Sequence, residues 1–200
     1  MLNSVRGTAA RRGDDPSPDT SDPKVYTAQQ EELRALEAST RLVAYVRSGG
    51  QTGADRAALE AARAADVPIC GWCPPGGLAE DLPEPPGLLA VYPELRECEA
   101  SGYVERTALN VRDAHATLIV SPGGVEPHSG TEMTVACATF YGRPVLVVEG
   151  GSGDIERVRT WLVDVGRGLT LNVAGPRASK DARVYDATYE LVSGLLGTRE

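Results

Sequence analysis

Several things are scarce in this chain, and each scarcity narrows what it can be. No stretch approaches the roughly 18 consecutive apolar residues that a membrane-spanning helix requires. The N-terminal run "MLNSVRGTAARRGDD" has no apolar core of the kind a secretory signal needs, which makes the cytoplasm the expected location. Positive charge is short: 20 Lys and Arg face 28 Asp and Glu, a formal net charge of −8. That balance argues against DNA or an anionic membrane as partner. Four cysteines in 200 residues do not make a disulfide framework. Cys70 and Cys73 form a CxxC in "PICGWCPP", but no second ligand pair accompanies them, and the only histidines are His115 and His128. Neither a zinc site nor a redox pair is expected, and no metal ligands are assigned.

What is present suits a soluble domain with a sizeable core: 42% hydrophobic and 24% charged residues. Residues 1–24 are polar, proline-containing and aperiodic, and read as a disordered tail. Residues 25–40, "VYTAQQEELRALEAST", can form a helix with a thin apolar face at Leu33 and Leu36. From 41 to 200 the pattern becomes regular. Apolar runs at 42–47, 67–72, "ATLIVS", "PVLVVE" and "LTLNVAG" alternate with helical segments, the last helix being "SKDARVYDATYELVSGLLG". Such alternation predicts an α/β fold, a Rossmann-like three-layer sandwich with a mainly parallel sheet of about five strands. "CPPGGLAEDLPEPPGLLAVYPELRECEASG" reads as a long functional loop between two of them.

Right-handed crossovers place every strand-to-helix turn at one edge of such a sheet. Those turns are "SGGQTGAD", "CGWCPPGG", "SPGGVEPHSGTE", "EGGSGD" and "AGPRAS". Glycine-rich turns meeting helix starts at the carboxyl edge predict a crevice for an anionic ligand. The common phosphate motifs do not fit. "GGQTGADR" lacks the lysine of a Walker A loop. Its glycines are not spaced GxGxxG, and no acidic residue ends strand two at "ICGW" to hold a ribose.

The stretches "GGQTGADRAALEAA", "GWCPPGGLAEDLP", "YVERTALNVRDAHATLIVSPGG", "SGTEMTVACATFYGRPVLVV" and "LNVAGPRAS" together resemble the putative molybdenum carrier family. That family is a circularly permuted branch of the LOG-like, or lysine-decarboxylase-like, nucleotide-binding Rossmannoids. The resemblance covers roughly residues 42–197. It implies glycine loops that bind a phosphorylated small molecule: a nucleotide, or the phosphate of molybdenum cofactor. Two departures stand out. Pro75 and Gly77 replace the basic residues the family tends to carry after "GWCP". The PGGxGTxxE motif of the LOG phosphoribohydrolases is interrupted in "SPGGVEPHSGTEMT", with Thr134 where the catalytic glutamate would stand. Glu132, two positions earlier, points about 200° away on a helix.

Candidate ligand contacts are Gly49, Gly50, Gln51, Thr52 and Gly53 in the first turn. Gly123, Gly124, Ser129, Gly130 and Thr131 repeat that logic later, and Gly175 and Arg177 open the last turn. Arg106, Thr107 and Asn110 share a helix face. Arg106 can fork onto a phosphate, or pair with Glu99 or Asp113. Trp72 can stack on a base or be buried. Asp55, Glu80, Asp81 and Glu132 are the acid–base candidates, although Asp55 at a helix start equally suits a cap. His128 sits in a glycine loop with no nucleophile set against it. The first reading is a binding or carrier protein, the second an enzyme hydrolysing a glycosidic or phosphate bond of a nucleotide, and the third a ligand sensor. Assembly as a homo-oligomer stays open.

Overall fold

The segment Ala116–Val120 is apolar or small at every position and buried at every position, as a strand covered on both faces must be. It is β4 of the computed structural model, which describes residue 31, residues 40–99 and residues 103–197. The chain divides after Leu36, and the elements below all belong to the unit Glu37–Glu200. The tail at 1–24 and the helix expected over 25–40 lie outside the described residues, apart from Glu31 and Thr40.

In chain order the elements are β1 (Val43–Arg47), α1 (Ala54–Ala64), β2 (Ile69–Cys73), a 3-10 turn (Pro75–Gly77) and α2 (Leu88–Val91). Then come β3 (Leu95–Glu97), α3 (Tyr103–Arg112), β4, α4 (Gly130–Phe140), β5 (Val145–Val148), α5 (Asp154–Val165), β6 (Leu169–Ala174) and α6 (Val184–Gly197). Among the described residues the sheet has six strands, all parallel, in the order β3-β2-β1-β6-β4-β5. The expected three-layer α/β architecture is present with one strand more than foreseen. The extra one is β3, a three-residue edge strand inside the proline-rich segment, paired Gly71 to Leu95 and Cys73 to Glu97. A strand this short with one buried residue, Leu95, leaves almost no periodicity to read.

α1 is built from alanine because it must lie close to the sheet and to α6. Ala54, Ala57, Ala58, Ala61 and Ala62 are all buried, and their small side chains allow the close approach. α3 and α4 pair around Val111, Cys137 and Ala138. Val46, Leu118, Val120, Leu171 and Val173 fill the centre of the sheet. Among the described residues, no helix is long and apolar enough to cross a membrane.

Candidate functional site

The strand order fixes where loops converge. From β1 the chain steps outward to β2 and β3, jumps to β4 and β5 on the far side, and returns as β6 between β1 and β4. The loops leaving β1, β6 and β4 therefore stand side by side at the carboxyl edge, around a topological switch point.

Between the β4–α4 and β6–α6 loops lies a cleft of about 930 Å³. Of the residues anticipated from sequence, Gly123, Gly124, Ser129, Gly130, Thr131, Gly175 and Arg177 line it. So do Lys180 and Arg183, which sequence reasoning assigned to the closing helix; α6 in fact begins at Val184, leaving "RASKDAR" as a loop along the cleft. Their signal was legible as basic residues following a glycine turn. Glu126 and Asp181 are the acidic lining residues. Asp181 is occupied by Arg183, whose Nη2 stands 2.8 Å from its Oδ2, and this contact holds the Asp181 carboxyl below its ordinary range. A Cβ added to Gly124 would meet nothing within 4 Å.

The start of α4 is closed by a reciprocal cap. Ser129 Oγ accepts from the Glu132 amide at 3.1 Å, and Glu132 Oε2 accepts from the His128 amide at 2.7 Å. Glu132 thus serves the helix end, while Gly130 and Thr131 of the first turn line the cleft.

The glycines of the β1–α1 loop face protein. A Cβ on Gly49 would come within 2.8 Å of the Arg106 guanidinium carbon, and one on Gly50 within 3.0 Å of Leu95. One on Gly53 would fall 2.5 Å from the Pro176 carbonyl. The glycines make room for neighbouring chain. Gln51 Oε1 accepts from the amides of Thr52 and Glu80, both at 3.0 Å. Thr52 Oγ1 donates to Glu80 and accepts from the Ala178 amide, and Ser179 Oγ donates to Glu80 at 2.7 Å. The Thr52 hydroxyl first, then Ser179, pull the Glu80 carboxyl below its ordinary range. Asp81 is held by both terminal nitrogens of Arg56 at 3.1 Å.

Beneath this loop Asp55 and Arg106 form a buried pair, Nη2 to Oδ2 3.7 Å, with both side chains about 7% exposed. Burial raises the Asp55 pKa against the opposing pull of Arg106, the Gln51 amide, Ser48 and Arg56. Thr107, Asn110, Thr134 and Asn172 surround the pair and leave a cavity of only about 20 Å³. Gly175 lines both this cavity and the cleft. Arg106 thus pairs with Asp55, where the sequence offered Glu99 or Asp113.

Asn110 is tied to the Trp72 backbone, accepting from its amide and donating to its carbonyl, each at 2.9 Å. The Trp72 indole donates to Asp113 at 2.8 Å. This fixes the indole away from the cleft lining. Burial pushes all four thiols up, Cys73 to about 11 with help from Glu97. Among the described residues, no group of three His, Cys, Asp or Glu could hold a metal ion.

Residues 46–196 match the model of the circularly permutated YpsA SLOG family. The chain is 37% identical to a solved putative molybdenum carrier protein from Syntrophus aciditrophicus SB, with a TM-score of 0.70 over 78% of this chain and 96% of that one. No curated protein matches it significantly. With three quarters of its length fitted by the family model and a solved relative of the same fold at that identity, the chain belongs to the circularly permuted YpsA SLOG family.

Proposed function

We propose that this protein binds a phosphorylated small molecule, a nucleotide or the phosphate end of molybdenum cofactor, in the cleft between the β4–α4 and β6–α6 loops. It acts there as a carrier. The observation behind this reading is the charge of one wall. Arg177 and Lys180 lie along the cleft, beside the Arg183–Asp181 pair, in a chain whose formal net charge is −8. Opposite them stands a glycine loop running into the first turn of α4, an arrangement suited to phosphate oxygens. The likeness to a putative molybdenum carrier protein supports the choice of ligand.

The carrier reading is preferred to hydrolysis because the four acid–base candidates are occupied elsewhere. Asp55 is buried against Arg106, Glu80 binds Thr52 and Ser179, Asp81 binds Arg56, and Glu132 caps α4. None of them lines the cleft.

Thermal denaturation in the presence of nucleotides, pyrophosphate and a pterin phosphate tests the reading. A ligand at one hundred times its Kd stabilises the folded state by about 2.7 kcal/mol. In a domain of this size that raises Tm by about 5–10 °C. The double variant Arg177→Ala/Lys180→Ala should lose most of the shift. Failure of every phosphorylated compound to move Tm at millimolar concentration would overturn the proposal. Release of base or phosphate during incubation would replace the carrier with a hydrolase.

A further inference from the structure

The two ends of the sheet are finished differently. β3 closes one end with three residues, two of them the exposed Arg96 and Glu97, a short and charged finish that discourages further pairing. β5 closes the other with Val145, Leu146, Val147 and Val148, and among the described residues no strand lies beyond it. Pro144 and Val148 turn their carbonyls toward β4, where they accept from the amides of Thr117 and Ser121, both at 2.9 Å. By alternation Val145 and Val147 turn their N–H and C=O groups the other way, along the open edge.

The side chains beside this edge are apolar as well. Val145 packs toward Val111 and Cys137 of α3 and α4, and Leu146 toward Trp161 of α5. Next to Leu146 and Trp161 runs a shallow furrow of about 470 Å³, completed by Thr160 and the charged Glu156, Arg157 and Asp164. At the end of α4 the chain's single phenylalanine, Phe140, is 81% exposed, with its ring edge-on to the exposed Tyr141.

The residues along the edge are also self-complementary. In "RPVLVVE" Arg143 stands as far before Leu146 as Glu149 stands after it. Arg143 is anchored at its strand end, Nη2 donating to the Arg112 carbonyl at 2.8 Å, and Glu149 is exposed. A second copy laid antiparallel about Leu146 sets each Arg143 opposite the other copy's Glu149 and each Val145 opposite the other's Val147. Those valines carry the outward backbone groups, so each such pair exchanges two hydrogen bonds. A register shifted by one residue opposes inward-facing to outward-facing residues and forms none, and a shift by two loses the charge pairing.

We propose that β5 pairs with β5 of a second copy of this chain, antiparallel and centred on Leu146, giving one continuous sheet across a two-fold axis. The assembly goes beyond the ligand reading and does not depend on it, because the phosphate cleft is built on the loops after β4 and β6.

Sedimentation equilibrium of the full chain, together with disulfide trapping, tests this. The wild type should weigh twice its 21.1 kDa chain. Val147→Pro removes an outward N–H that β4 does not use, a change an edge strand tolerates, and should halve that mass while the circular dichroism stays that of the wild type. At the axis the two Leu146 Cα atoms stand about 4.5 Å apart, within the reach of a disulfide, so Leu146→Cys should give a covalent dimer on mild oxidation. Glu149→Cys, whose thiols would lie at opposite ends of the paired strands, should stay uncrosslinked, as should the wild type with its four native thiols. A monomeric wild type, a dimer that survives Val147→Pro in a folded chain, or equal trapping of Leu146→Cys and Glu149→Cys would overturn the pairing. Should Val147→Pro fail to fold, the two cysteine variants decide alone.

Discussion

Gly53 and Gly124 have nearly the same φ, +79° and +77°, yet their surroundings are opposite, and this makes a controlled experiment. Replacing either by alanine places a side chain where φ is positive. At Gly53, with ψ at −128°, the backbone conformation alone costs about 1–3 kcal/mol. At Gly124 a positive φ of the left-handed range costs about 1–2 kcal/mol for an L residue, and the new methyl meets nothing within 4 Å. The new methyl on residue 53 would instead lie 2.5 Å from the Pro176 carbonyl oxygen and 2.7 Å from the Ala178 amide nitrogen. These are backbone atoms and cannot rotate aside, so the β6–α6 loop must shift, adding about 1–3 kcal/mol of overpacking. The hydrogen bond from the Ala54 amide to Pro176 O, 3.3 Å long, sits at the same contact. Gly53→Ala should therefore cost about 2–6 kcal/mol in all, against about 1–2 kcal/mol for Gly124→Ala. In thermal melts that is a Tm loss of about 4–24 °C against about 2–8 °C, and urea denaturation gives the same order independently. If Gly53→Ala is no more destabilising than Gly124→Ala, loop-on-loop packing is not what this glycine serves.

Two further outcomes follow from buried groups. Because burial raises the Asp55 pKa above its ordinary 3.8, the folded protein holds that proton more tightly than the unfolded chain does, and stability from this site is fully present below 3.8 and lost as pH rises through the folded pKa. The stability of the wild type relative to Asp55→Asn should accordingly fall as pH rises above about 4 in urea titrations, and a difference that grows with pH would refute it. All four thiols are pushed above their ordinary range, so a disulfide reagent at pH 8 should react slowly with the native protein and promptly with four thiols in denaturant; fast native reaction at Cys73 would contradict its placement.

The sheet could be read from sequence where its strands are buried on both faces. "ATLIV" has no polar position stronger than a threonine, and the alternation with helices then places all the turns at one edge. β3 could not be read, because three residues in a proline-rich stretch carry one apolar contact. The cleft was half legible. Gly123, Gly130, Gly175 and Arg177 stand out as glycine turns and their flanks, whereas Lys180 and Arg183, though basic residues after a glycine turn, fall in a stretch whose pattern reads as the last helix. The β1–α1 loop shows why glycine is an ambiguous signal. It reports that space beside the backbone is needed, and a phosphate and the Pro176 carbonyl leave the same mark. Glu80 and Asp81 were visible as an acidic pair, but their partners Ser179 and Arg56 lie 99 and 25 residues away. Nothing local in the sequence identifies them.

The chain of bonds from Gln51 through Thr52 and Glu80 to Ala178 and Ser179 joins three loops that leave different strands. One jaw of the cleft, the segment bearing Arg177 and Lys180, is thereby riveted to a frame reaching across the sheet. The opposite jaw is braced differently. Ser121 Oγ donates to the Gly124 carbonyl and Ser129 Oγ to the Glu126 carbonyl, so this loop is stiffened against itself. The jaw tied across the sheet shares its supports with other loops, whereas the self-supporting jaw can change in sequence without disturbing that frame. Variation in the residues 122–128 should therefore retune which molecule is gripped, whereas variation at Thr52, Glu80 or Ser179 should loosen the grip on every molecule alike.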